Sequence, residues 1–155
     1  MILKKLQKSV ESNSFAPYRF DVSGLEYTFT TDFGIVYDVY FYDADIIEYL
    51  PAYWFGFKII GDTETIKRDY RVEPTIVNIL RDFFSIHNNA VFFVCSTAGG
   101  RASARFRLFE LWFSRNGQGY EKHDICKFDL YGSMIFRSDF PDKMLAVSML
   151  REMVG

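Results

Sequence analysis

Residues 18 to 57 hold fourteen aromatic rings, and most of them fall on alternate positions. Tyr18, Phe20 and Val22 alternate with Arg19, Asp21 and Ser23. After Ser23-Gly24 the alternation resumes as Leu25, Tyr27 and Phe29 against Glu26, Thr28 and Thr30. A period of two with rings on one side is the pattern of a half-buried strand, and Ser-Gly between two such runs is a hairpin turn. Thr31-Asp32-Phe33-Gly34 supplies a second turn, Ile35 to Phe41 a third strand, and Tyr53, Phe55, Phe57 and Ile59 a fourth. A β-meander over 17–60 follows. The stretch Asp43 to Pro51 breaks the alternation and is expected to make a helical turn.

The remainder reads differently. An amphipathic pattern over 1–11 predicts an N-terminal helix. Glu73-Pro74 opens a second helix, with Pro tolerated in the first turn and Ile76, Ile79, Leu80, Phe83 and Ile86 repeating at three and four. Ala90 to Cys95 is a buried-looking strand, a helix runs from about Gly100 to Arg115, and Gly117-Gln-Gly119 makes a loop. Cys126, Phe128 and Leu130 form a further strand, Met134 to Phe136 a short one, and Pro141 starts a last helix. The predicted class is α+β: an antiparallel meander sheet packed by helices, in one domain of 155 residues.

Charge is unevenly spread. No Lys or Arg occurs between Arg19 and Lys58, where seven acids (Asp21, Glu26, Asp32, Asp38, Asp43, Asp45 and Glu48) stand against a net charge of −2 for the whole chain. Such asymmetry suits either a solvated acidic sheet face or a surface that steers a charged partner. Tyr40, Tyr42 and Trp54 fall on the parity opposite to the apolar face, so that second face is covered by the chain's own helices or by a protein partner. No apolar run is long enough to span a membrane, and the N-terminus lacks the apolar core of a signal peptide, so a cytoplasmic location is expected. Both cysteines, Cys95 and Cys126, sit in apolar strand-like runs, where a free buried thiol is the plain expectation.

The segment Cys95-Ser-Thr-Ala-Gly-Gly-Arg101 reads as strand, glycine loop and helix start. Unpaired amides and the peptide dipoles at such a start favour an anion, with Gly99, Gly100, Arg101 and Arg105 as its binding residues. On a helical wheel Arg101 and Arg105 fall between Leu108 and Trp112 on one side and Phe109 on the other, which places two cations in the apolar arc. The plainer explanation is that both arginines are satisfied by carbonyls or by Asp129.

The spacing Cys95-x5-Arg101 resembles the loop of cysteine-dependent phosphatases, which implies a low-pKa Cys95 thiolate as nucleophile and Arg101 as phosphate clamp. Val94 and Ala102 depart from that family's usual His and hydroxyl residue, and no acid loop of Trp-Pro-Asp type occurs. The order of elements also resembles acyltransferases of the acetyl-coenzyme A type, although Gly99-Gly100 precedes the arginine where they place arginine first among alternating glycines. A third resemblance covers more of the chain, from about Pro17 to Leu150. Pro74 to Phe84, Val91 to Cys95, Gly100-Arg101, Ala104-Arg105, Arg107-Leu-Phe109 and Trp112-Phe113 are similar to an uncharacterised family of small bacterial single-domain proteins. That resemblance implies no activity, ligand or cofactor.

Two histidines, His87 and His123, lack zinc spacing, and neither cysteine has a second thiol nearby, so no metal site is expected. Four arginines on one helix are weak grounds for nucleic-acid binding in a chain of net charge −2. The reading is of a binding module for a small anionic ligand or a protein partner, with no cofactor. A phosphohydrolase and an acyltransferase remain as the alternatives.

Overall fold

The computed structural model describes residues 16–44, 50–61, 68–95, 100–127 and 130–154. The helix expected over 1–11, the core of the turn expected within 43–51, Gly99, Phe128 and Asp129 lie outside them. The elements run β1 (Asp21–Ser23), β2 (Glu26–Thr30), β3 (Val36–Asp43), β4 (Ala52–Ile60), α1 (Val72–Ile86), β5 (Ala90–Val94), α2 (Ala102–Asn116), β6 (Tyr120–Lys127), β7 (Leu130–Arg137) and α3 (Lys143–Val154). The strands hydrogen-bond in the order β1-β2-β3-β4-β5-β7-β6. The class is α+β. One pair departs from the expected antiparallel pattern: β4 and β5 are parallel, with Trp54 opposite Phe92. The reason is connectivity, since a parallel neighbour needs a long crossover and α1 lies between these two strands in sequence.

The chain divides into two compact units, Met1–Tyr40 with Phe57–Phe83 and Phe41–Gly56 with Phe84–Gly155. In the first, the meander register sets Tyr27 opposite Val39 and Phe29 opposite Tyr37, so one parity of each strand is buried. Phe29 stacks on Tyr37 at 4.9 Å and Tyr18 on Phe29 at 6.0 Å. From α1, Ile76, Ile79 and Phe83 are fully buried. Hydrogen bonds fix the helix to the meander: the Tyr18 amide donates to Thr75 Oγ1 at 2.7 Å and the Tyr27 hydroxyl to Asp82 at 3.0 Å.

Arg71, just before α1, is the polar hub of this unit. Its Nε donates to the Ala16 carbonyl at 2.7 Å, its Nη1 to Asp32 at 2.8 Å, and its guanidinium lies 3.8 Å from the centre of the Tyr18 ring. Tyr18 in turn donates its hydroxyl to Asp69 at 2.6 Å. On the opposite parity, Asp38 is buried, and its Oδ1 has no hydrogen-bond partner among the described residues.

In the second unit, alternation sorts the strand side chains onto two faces. One face packs Ala52, Phe92, Ile125, Met134 and Phe136 against Ala146 and Leu150 of α3. The other carries Phe55, Phe93 and Tyr131 beneath α2, where Phe109 lies 3.9 Å from Phe93 and Phe106 lies 5.8 Å from Tyr131, centre to centre. β6 and β7 form a hairpin with Lys122 opposite Ile135 and Cys126 opposite Tyr131. The strand expected over 126–130 is thus corrected. Lys127 ends one strand and Leu130 begins the next, and the charged run Tyr120 to Asp124 belongs to β6 although its alternation is not apolar. At Gly132 the backbones of β5 and β7 approach so closely that a Cβ would lie 2.5 Å from the Phe93 carbonyl oxygen.

Candidate functional site

The strand, glycine and helix start of the sequence are present. β5 ends at Val94, and the Cys95 amide still donates to the Tyr131 carbonyl at 2.7 Å. Where the chain re-enters the described residues, Gly100 has φ of 65°, a left-handed conformation that glycine adopts without strain. Arg101 follows as the N-cap of α2, and its carbonyl accepts the Arg105 amide at 3.0 Å. A guanidinium carries donors only, so this side chain cannot accept from the first amides as Ser or Asp would. The Arg101 side chain makes no capping hydrogen bond, and the first turn of α2 has no acid.

The placement of the two arginines corrects the helical wheel. Arg101 and Arg105 are exposed, and the inward arc is Ala102, Phe106 and Phe109. That arc is rotated by one residue because the Phe106 ring, which the apolar pattern did not single out, seats against Tyr131. Leu108 turns outward as a consequence.

Cys95 is buried, and burial pushes its thiol above the ordinary range. The Arg105 charge acts in the opposite direction but does not prevail. A phosphatase nucleophile needs a depressed pKa, so the described surroundings of Cys95 work against that role. Cys126, expected buried, is exposed. The two thiols flank the same residue of β7, Tyr131, from the strands on either side. Two strand spacings separate them by about 9–10 Å, which is too far for a disulfide. Both are free.

A polar cluster that sequence reasoning missed lies under α2. The Lys122 side chain is only 9% exposed; its Nζ pairs with Asp124 and with Glu110 at 3.7 Å. It lies 5.4 Å and 5.8 Å from the ring centres of Phe106 and Phe113. Ser133 donates to Asp124 at 2.6 Å. Hydrogen bonds from Lys122 and Ser133 hold the Asp124 carboxyl below its usual range, overcoming the burial that would raise it. The available signal is Lys122-x-Asp124 on one strand face with Glu110 on the preceding helix.

The three aromatic residues expected to meet a partner differ in exposure. Trp54 packs against Phe92 and the core that α3 covers, so the chain itself occupies that position. Tyr40 is half-buried with the Lys58 ammonium 5.9 Å above its ring, while Tyr42 is exposed. Among the described residues no group of three or more His, Cys, Asp or Glu side chains could hold a metal ion. No described helix is long and apolar enough to cross a membrane.

Residues 68–135 match the model of a family of unknown function, DUF6169. The resemblance read from the sequence is met on that segment, which is narrower than the span from Pro17 to Leu150 and comprises α1, β5, α2, β6 and most of β7. No curated protein and no solved structure matches the chain.

Proposed function

We propose that this chain is a non-enzymatic binding module that takes a small anion or a partner's carboxylate at the start of α2, with Gly100, Arg101 and Arg105 as its contacts. The observation that carries this reading is the α2 start, where an exposed donor-only side chain occupies the N-cap and no acid follows in the first turn. Arg101 makes no ion pair among the described residues. Arginine at the positive end of a helix opposes the macrodipole, and a bound anion relieves both the dipole and the charge. Two unbridged thiols suit a reducing compartment, which supports a cytoplasmic location.

The test is thermal unfolding of the wild type and Arg101→Ala with phosphate, sulfate, vanadate, nucleotides and acyl-coenzyme A. A ligand at one hundred times its dissociation constant adds about 2.7 kcal/mol, enough to raise the midpoint by several degrees. A rise confined to the wild type is expected; no rise with any ligand, or the same rise in both proteins, ends this reading.

A cysteine-dependent phosphohydrolase is the second reading; it rests on the Cys95-x5-Arg101 spacing, since burial outweighs the Arg105 charge at the thiol. Cys95→Ser should abolish any phosphatase turnover and leave anion binding in place. Turnover unchanged by that substitution ends this alternative. No described residue favours the acyltransferase alternative.

A further inference from the structure

We infer that the groove between α3 and β6 binds a small organic acid that carries one carboxylate on an apolar body. The groove lies on the sheet face opposite α2 and is separate from the anion site at the start of that helix. Ala146 and Leu150 turn inward and are buried, and the flank of α3 beside them faces Glu121 of the edge strand β6. Between the two elements the groove holds about 330 Å³, at the lower end of the range for small-molecule sites. Half-buried Val147 is its floor. Met144, 82% exposed, is its outer lip, a flexible side chain able to fold down over an apolar ligand.

The charges select the ligand. At one end Lys143 is already neutralised, because its Nζ donates to Glu121 at 3.2 Å and to the Ser138 carbonyl at 3.3 Å. The other oxygen of Glu121 lies 3.8 Å from His123 Nε2. From Lys143 to Arg151 the helix rises about 12 Å. At that far end Arg151 is exposed and makes neither an ion pair nor a hydrogen bond among the described residues, and the Ser148 hydroxyl, one turn before it, is equally free. A guanidinium fork with a hydroxyl three residues earlier on the same helix face supplies the donors that a carboxylate accepts. Arg151 stands in the last turn of α3, where the helix carbonyls carry partial negative charge. That end and Glu121 both resist a multiply charged anion, so a phosphate ester or a nucleotide fits less well than a single carboxylate. An amine would meet Arg151 at one end and a carboxylate already paired with Lys143 at the other.

The probes are octanoate, octanol, octylammonium and octyl phosphate. Each is titrated into the wild type, Arg151→Gln, Arg151→Lys and Arg101→Ala by isothermal titration calorimetry, and the Met144 methyl signal is followed by NMR. Arg151 is exposed, so its variants should keep the wild-type unfolding midpoint, and the lysine variant serves if the glutamine one does not. Octanoate is expected to bind the wild type and Arg101→Ala alike and to shift the Met144 methyl. Its affinity should fall about tenfold or more on Arg151→Gln, and by less on Arg151→Lys, which keeps the charge and loses the fork. Octanol should bind more weakly than octanoate, and octylammonium not at all. Absence of octanoate binding, a Met144 signal that does not move, or binding unchanged in the Arg151 variants overturns the inference. So does octanol, octylammonium or octyl phosphate binding as tightly as octanoate, or a loss confined to Arg101→Ala, which would place the carboxylate at the start of α2.

Discussion

Arg71 in one unit and Lys122 in the other are both cations held against rings and carboxylates, yet they join different things. Arg71 uses the fixed fork of its guanidinium to reach the Ala16 carbonyl and Asp32 while stacking on Tyr18, so one planar group ties three separated segments. Its carboxylate partner is 72% exposed and can be rehydrated if the contact is lost. Lys122 is a point charge beneath Phe106 and Phe113, and its carboxylates Asp124 and Glu110 sit partly covered beside it. The lesson is about what remains after the cation is removed: in the first case solvent replaces it, in the second two acids are left facing each other at the edge of a core.

That contrast can be broken most directly at Lys122. Lys122→Ala should cost about 2–4 kcal/mol, read from the midpoint of urea unfolding, and adding Glu110→Gln should return part of the loss. If Lys122→Ala costs less than a change at Arg71, the two networks are not different in kind. Arg71→Lys keeps the charge and removes the fork, and should cost about 1–2 kcal/mol; a neutral result would show that charge alone holds Ala16, Tyr18 and Asp32 together.

The smallest effect sharpens the acid side of the first unit. A hydrogen bond from Glu26 to Asp38, and then the Asp38 charge, raise the Glu26 carboxyl above its ordinary range. The folded state therefore holds this proton more firmly than the unfolded chain does. Its contribution is full below the ordinary glutamate pKa and is lost as pH rises through the raised value. Glu26→Gln keeps a donor toward Asp38 and does not titrate, so its unfolding midpoint should fall less than that of the wild type as pH rises through the raised Glu26 value. Parallel profiles for the two proteins would refute the shared proton.

The meander was legible because burial there follows strand parity: Tyr27, Phe29, Tyr37 and Val39 are inward at every second position. α1 was legible for the matching reason, with Ile76, Ile79 and Phe83 on one stripe. β6 was missed over Tyr120 to Lys122 because its covered contact is made by a lysine stem, which an apolar alternation test scores as solvent-facing. The α2 face was misjudged by one residue. Phe106 and Leu108 both carry apolar weight on a wheel, and only the ring opposite, Tyr131, decides which of them turns inward. The parallel pairing of β4 with β5 is a long-range choice that no local pattern encodes.

Gly132 has a consequence for how the chain finds its register. The position opposite Val94 admits only a residue without a Cβ, since the Phe93 carbonyl oxygen occupies that space. Were β7 to slide by one residue against β5, Tyr131 or Ser133 would enter that position with a side chain. Every apolar residue of the strand would at the same time change faces. A one-residue slip of β7 is therefore penalised twice, by collision at this one point and by the loss of its core face.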